Sequence, residues 1–122
     1  MTDVLDASAL LAFLQGEGGA EVVEARLEGG AVCGAANWSE VAQKVLGADR
    51  DWDLARALLL SYDLTLEPVD ADDAEAAARR WRRGEGLSLA DRLCLTLADR
   101  VHGVAWTADA SWGSNDRVRQ IR

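Results

Sequence analysis

Four acids stand where an apolar run gives way to the start of a helix. Asp6 follows Val4-Leu5 and precedes Ala7-Ser8, and Glu40 closes Asn37-Trp38-Ser39-Glu40. Asp91 closes Ser88-Leu89-Ala90-Asp91, and Asp109 closes Thr107-Ala108-Asp109. Carboxylates gathered without His or Cys are hard oxygen ligands, which suit Mg²⁺ or Mn²⁺ rather than zinc or copper. Ions held this way lower the pKa of a bound water and neutralise charge developing on a phosphodiester, so hydrolysis needs no histidine base. Ser8 and Thr107, each two residues from one of these acids, are placed to orient ligands or phosphate, or equally to cap a helix or turn.

Each acid taken singly has a second reading. Asp6 suits an N-cap, while Asn37-x-x-Glu40 and Ser88-x-x-Asp91 both match the capping box that satisfies free N–H groups at a helix start. Asp91 strains that reading. It shares a helical face with Cys94, Leu95 and Ala98, whereas Arg92, Thr96 and Asp99 form the polar face. An acid at the end of an apolar stripe points inward, and an unpaired buried carboxylate costs on the order of several kcal/mol unless cations or donors offset it.

Other chemistries fit less well. The single histidine, His102, sits before Gly103 near a helix end, where it serves as a C-terminal cap; a two-histidine ribonuclease mechanism is therefore excluded, and a Ser-His-Asp triad lacks support. Cys33 lies in an apolar strand and Cys94 on an apolar helix face, so both read as small core residues. Gly16-Glu17-Gly18-Gly19 follows a helix instead of opening one after a strand, which makes it a loop and not a phosphate cradle. Arg79-Arg80-Trp81-Arg82-Arg83 interleaves an aromatic with four cations. That pattern holds phosphates and stacks a base, or else is a solvated helix end with Trp81 anchored in the core. Trp38 and Trp112 read as packing residues beside the candidate site segments.

The elements that must position these residues follow from hydrophobic periodicity. A strand over 2–5 leads into a helix whose Ala7, Leu10, Leu11 and Leu14 recur at helical spacing. After the loop 15–19, residues 20–27 predict a second helix stopped at Gly29-Gly30, and 31–35 a buried strand. Trp38, Val41, Ala42, Val45 and Leu46 define one face of a third helix that runs out at Gly47, and 52–60 make a fourth. Residues 64–69, with the only proline at Pro68, predict a short edge strand or connector. Asp70 opens a fifth helix with Asp72, Asp73 and Glu75 in its first turn and Arg79, Arg80, Arg82 and Arg83 in its last, the order the helix dipole favours. Gly84 and Gly86 stop it, Ser88 starts a sixth helix to about Val101, 104–107 form a strand, and the tail 119–122 offers another. Strands alternating with helices imply parallel β-α-β units, hence an α/β fold whose sheet is covered on both faces. In such a sheet all strand ends share one edge, where open α/β sheets bind ligands, so Asp6, Glu40 and Asp109 should be neighbours in space.

At 122 residues the chain predicts a single domain over 1–122, with a core that needs no disulfide or metal staple. Two cysteines without CxxC spacing suit a reducing, cytoplasmic setting, and the longest apolar stretch, 7–14, is too short to cross a bilayer and lacks a basic leader. With 21 acidic against 13 basic residues, the net charge of -8 should repel a polyanion unless positive charge is concentrated locally. Arg79, Arg80, Arg82, Arg83 and Arg92 provide such a concentration as a candidate nucleic-acid-binding rim, and divalent ions among the acids would turn a repulsive cavity into a phosphate-binding one.

In order and spacing, Val-Leu-Asp6-Ala-Ser8, Asn-Trp-Ser-Glu40-Val, Leu-Ser-Leu-Ala-Asp91-Arg-Leu-Cys and Thr107-Ala-Asp109-Ala-Ser-Trp resemble the four motifs of PIN-domain ribonucleases. More narrowly they resemble the VapC toxins of bacterial toxin-antitoxin pairs. The resemblance implies a three-layer α/β/α sandwich with a central, mainly parallel sheet and an acidic pocket that binds Mg²⁺ or Mn²⁺. It also implies metal-dependent endoribonuclease activity, homodimerisation and neutralisation by a cognate VapB-type antitoxin, which would place a basic side chain in the acidic pocket. Asp6, Glu40, Asp91 and Asp109 become the metal-site and catalytic acids, supported by Ser8 and Thr107. One position departs from the pattern: many members carry a further acid where this chain has Ser111, with Asn115 and Asp116 as nearby candidates to replace it.

Two other classes meet specific objections. A receiver-type signalling domain wants a Lys after its fifth strand, and the only lysine, Lys44, lies in the third helix; a haloacid-dehalogenase phosphatase wants a second Asp where Ser8 stands. A catalytically silent PIN-like module that binds RNA or protein is the remaining alternative, against which the retained acids speak.

Overall fold

The computed structural model describes all residues, Met1–Arg122. Five short strands, β1 (Asp3–Leu5), β2 (Ala31–Gly34), β3 (Leu64–Glu67), β4 (Val104–Thr107) and β5 (Val118–Gln120), form one sheet in the order β3-β2-β1-β4-β5. Every pairing is parallel. Six helices connect them: α1 (Ala7–Gln15), α2 (Ala20–Glu28), α3 (Ala35–Gly47), α4 (Trp52–Leu60), α5 (Ala71–Arg79) and α6 (Leu89–Arg100). None is long and apolar enough to cross a membrane.

Alternation along the strands sorts the core into two layers. Leu5, Ala31 and Cys33 turn to one face, where Leu10, Val23, Leu27, Val41 and Leu59 of α1 to α4 cover them. Val4 and Ala105 turn to the other, against Cys94, Leu97 and Ala98 of α6. The result is the expected α/β/α sandwich. Because the chain leaves β1 toward β2 and β3 but returns through β4 on its other side, the topological switch falls between β1 and β4. That crevice is where open parallel sheets take ligands, and the residues beyond it are Asp6 on one side and Thr107-Ala108-Asp109 on the other.

The structure shifts several expected boundaries. The last strand is Val118–Gln120, not 119–122: Val118 and Ile121 are the buried positions that set its alignment, and β4 pairs with it through Ala105↔Val118. Helix α5 ends at Arg79, so Arg80, Arg82 and Arg83 lie beyond its last turn. There the Arg82 guanidinium donates to the carbonyls of Arg79 and Trp81, closing the helix end before either glycine is reached. Trp81 is 51% exposed and stacks under Arg83, with no anchoring role in the core. Helix α3 begins at Ala35 with Gly34 as its cap, which puts Asn37 inside the helix and dissolves the capping box expected there. A 3₁₀ turn, Ala110–Trp112, follows β4. Two expectations agree with the structure, β3 being an edge strand followed by Pro68 and His102 adopting the left-handed conformation after α6, while Thr96, expected on the polar face of α6, is buried and Leu46, expected on the apolar face of α3, is exposed.

Gly103 fixes how β4 enters the sheet. It is buried, and a Cβ there would overlap the carbonyl oxygen of Thr2, whose next role is to accept the Val104 N–H at 2.8 Å. Gly103→Ala should therefore lower the unfolding free energy by about 1–3 kcal/mol in urea titration, the usual cost of overpacking. Gly47→Ala, at a helical position with open space around it, should leave stability unchanged or raise it by up to about 1 kcal/mol.

Candidate active site

Asp6 is placed by two demands at once. As the residue after the central strand it is 4% exposed, and as the N-cap of α1 its Oδ1 accepts from the Ala9 N–H at 2.8 Å and the Ser8 hydroxyl at 2.7 Å. The Ser8 hydroxyl also accepts from the Ala108 N–H at 2.9 Å and lies 3.2 Å from the Thr107 hydroxyl, which in turn accepts from the Asp109 N–H at 3.0 Å. Ser8 and Thr107 thus stitch β1 to β4 across the switch point. They hold Asp6 and Asp109 in one frame.

Asp109 begins the 3₁₀ turn, and its Oδ1 accepts from both the N–H (2.9 Å) and the hydroxyl (2.7 Å) of Ser111. The position that departs from the familiar pattern therefore grips a neighbouring carboxylate through hydrogen bonds. Asn115 does not replace the missing acid: its side-chain oxygen is taken by the N–H groups of Arg117 and Val118. Asp91 sits in a complete capping box with Ser88, its Oδ2 accepting from the Ser88 N–H at 3.0 Å. It is half-buried, its burial and its capping being compatible.

Glu40 is held by a residue with no functional role in the motif reading. Asn37 is fully buried, and its amide donates to Glu40 Oε1 at 3.2 Å and to the Ala90 carbonyl at 3.3 Å, the residue before Asp91. One side chain thereby ties the α3 acid to the α6 acid. Its i, i+3 spacing to Glu40 was visible in sequence, whereas its contact with Ala90 spans the fold. Lys44 was also missed as a site residue. It is one helical turn beyond Glu40, its charge favours the ionised Glu40, and it lines an open cleft of about 480 Å³ with Ser8, Gln15, Asp109 and Arg122.

The Asp91 charge acts on two of the other acids. Burial raises Asp6 from 3.8 to about 6, with the nearby Asp91 charge adding to the rise, against the lowering effect of donors from Thr107, Ala9 and Ser8. Burial likewise raises Glu40, and Asp91 adds to it, while Asn37 and Lys44 pull it down. Both cysteines are buried and their thiols are pushed up, first by burial and then by the charges of Asp6 and Glu40, which removes them as nucleophiles. In Asp91, Glu40 and Asp109 one carboxylate oxygen is engaged by protein donors and the other has no hydrogen-bond partner in the chain. No three acidic, histidine or cysteine side chains stand close enough together to form a closed metal cage. The donor set still fits a hard divalent ion: oxygen ligands only, a buried acid with raised pKa, and like charges that a cation would relieve.

The arginines divide into two groups. Arg80 donates to Thr96 Oγ1 and the Leu95 carbonyl and pairs with Asp99, and Arg92 donates to the Ala77 carbonyl at 2.8 Å, so both fasten the α5 region to α6. Arg79, Arg82 and Arg83 are exposed at the turn between those helices.

The family model of the PIN domain matches residues 4–117. "VapC ribonuclease Mb2780c" of Mycobacterium bovis and "Ribonuclease VapC42" of Mycobacterium tuberculosis are each 35% identical to this chain, over 78% of it and 81% of their own lengths. A chain of a "Toxin-antitoxin complex from Klebsiella pneumoniae" superposes with a TM-score of 0.77 at 17% identity, covering 99% of this chain and 98% of that one, a likeness of fold.

The raised Asp6 makes a stability prediction. A carboxyl whose folded pKa exceeds its unfolded value contributes stability that is fully present below about pH 4 and lost as pH rises through about 6. In chelator, Asp6→Asn should therefore be more stable than the parent at pH 8, by up to about 3 kcal/mol from the size of the shift. The difference should shrink toward zero near pH 4 in urea titrations.

Proposed function

This chain belongs to the PIN-domain family and, within it, to the VapC proteins, and from that membership we propose that it is a metal-dependent endoribonuclease, the toxin of a VapBC pair. The reading takes 1–122 as a single PIN domain acting in the cytoplasm. It is supported most by one observation: three carboxylates are each fixed through one oxygen, Asp91 by a cap, Asp109 by a turn and Glu40 by the buried Asn37 amide, leaving the other oxygen without a partner in the chain. The ribonuclease names of the mycobacterial relatives and the toxin-antitoxin setting of the structural neighbour point the same way.

Asp6, Glu40, Asp91 and Asp109 would hold one or two Mg²⁺ or Mn²⁺ ions, which when bound supply a water of lowered pKa and neutralise charge on the phosphodiester. The chain's own groups do the rest. Ser8 and Thr107 set the separation of Asp6 and Asp109, Asn37 sets that of Glu40 and Asp91, and Lys44 and Arg122 present cations along the cleft for an RNA backbone. Arg79, Arg82 and Arg83 add an exposed basic rim, with Arg80 and Arg92 holding the rim in place. A VapB-type antitoxin would neutralise the protein by setting a basic side chain among the acids. Homodimerisation belongs to the same reading; Leu46, Leu54 and Leu58 leave an apolar surface that the single chain does not cover.

Purified protein should cleave members of a structured RNA panel with Mg²⁺ or Mn²⁺ and lose that activity in chelator. Asp6→Ala, Asp91→Asn and Asp109→Asn should each reduce cleavage by more than about 100-fold while circular dichroism stays that of the parent. Cleavage indifferent to chelator and to all three substitutions would contradict the proposal, and RNA binding without cleavage under either metal would identify a binding module instead.

A further inference from the structure

A second cavity, of about 360 Å³, shares no lining residue with the cleft. Its walls come from the turn between α5 and α6 (Glu85), from α6 (Leu95, Asp99), from the 3₁₀ turn (Trp112) and from Arg80 and Arg117. Ser111, which grips Asp109, is on its rim, and Leu95 stands one helical turn after Asp91. The cavity is therefore adjacent to two of the site acids without containing either.

Its chemistry is unlike that of a phosphate site. The two cations, Arg80 and Arg117, face two anions, Asp99 and Glu85, and both arginines lean on Asp99. With the charges balanced, a dianion gains nothing here and meets two carboxylates. What remains is a set of directed donors and acceptors between apolar walls. Arg80 spends Nε and one terminal nitrogen on Thr96, Leu95 and Asp99, and Arg117 spends Nη1 on the Gly103 carbonyl. Nη1 of Arg80 and Nη2 of Arg117 have no partner in the chain, and neither does the Glu85 carboxylate. Trp112 supplies an aromatic wall, its indole N–H buried in the protein without an acceptor.

Planar, neutral, polar-edged and stackable describes a nucleobase. Among the four RNA bases only guanine joins two adjacent acceptors, O6 and N7, to two adjacent donors, N1–H and the 2-amino group. Arginine is the usual partner of the first pair, and a carboxylate suits the second. We propose that this cavity receives a guanine of the RNA strand close to the scissile phosphate, stacked against Trp112, with Arg80 and Arg117 donating to O6 and N7 and Glu85 accepting from N1–H and the 2-amino group. The proposal deepens the ribonuclease reading and rests on it for the identity of the strand, but the cavity's preference for a base can be measured without cleavage.

The test titrates the full-length protein, in chelator, with GMP, AMP, CMP and UMP, which share a phosphate and differ only in the base. The readout is the indole N–H resonance of Trp112, identified by its absence in Trp112→Phe. GMP should shift it saturably and bind at least about tenfold more tightly than the other three. Glu85→Gln, at an exposed loop position that does not endanger the fold, should erase most of that preference. In metal, the ratio of kcat/KM for RNAs carrying G or A at one position near the cut should collapse in the same variant. No saturable shift with any nucleotide, equal affinity for all four, or a preference that survives Glu85→Gln would overturn the proposal. So would a resonance that responds to a peptide and to no nucleotide. Selective GMP binding in a protein that cleaves no RNA would uphold the cavity and remove the nuclease reading; cleavage without base preference beside a GMP-insensitive indole would do the reverse.

Discussion

The site depends on the burial of Asp6 at the end of the central strand, which the fold enforces at a cost. Placing β1 between β2 and β4 obliges the residue that follows to leave the sheet at its most enclosed point. A carboxyl there loses water and feels the charge of Asp91, and its raised pKa records both effects. What makes the position tolerable is the start of α1: the Ala9 N–H and the Ser8 hydroxyl replace part of the lost hydration, and the helix dipole favours negative charge. The compensation is partial, and the pKa of Asp6 stays raised.

The same device recurs at the other acids. Asp91 is an N3 residue in a capping box and Asp109 begins a 3₁₀ turn, so the backbone N–H groups that need an acceptor also aim the carboxylates. A cap and a metal ligand are thus not competing descriptions of one side chain, because each carboxylate has two oxygens and the cap occupies one of them. Glu40 is the exception. It caps no helix, and the buried Asn37 amide does the aiming, which makes its position depend on α3 and α6 staying packed.

Much of this was legible in sequence because strong periodicity marks α1, α3 and α6, and because helix-start spacing marks Ser88 and Asp91. The alternation of elements was enough for a parallel sheet, and a parallel sheet was enough to gather acids far apart in the chain. What escaped depends on contacts across the fold. Residues 80–83 contain no helix breaker, and at the end of α5 Arg80 reaches Asp99 and Thr96 while Arg82 folds back on the carbonyls of Arg79 and Trp81. Asn37-x-x-Glu40 has the same spacing as Ser88-x-x-Asp91 yet forms no box, because Gly34 begins the helix a turn earlier. β5 is an edge strand with no apolar alternation to mark its start, and the role of Asn37 rests on a carbonyl 53 residues away.

Within the net charge of -8, four acids are those of the proposed site, and several of the cations, such as Arg80, Arg92 and Arg100, are used in packing. The central claim is that the sheet edge is an ion site made of Asp6, Glu40, Asp91 and Asp109. Crystals equilibrated with Mn²⁺ and measured at the manganese absorption edge test it most directly. The account predicts one or two anomalous peaks bonded to Asp6 and Asp91, with Glu40 or Asp109 completing the shell. An edge free of manganese at saturating concentration, or peaks confined to other surface carboxylates, would contradict it.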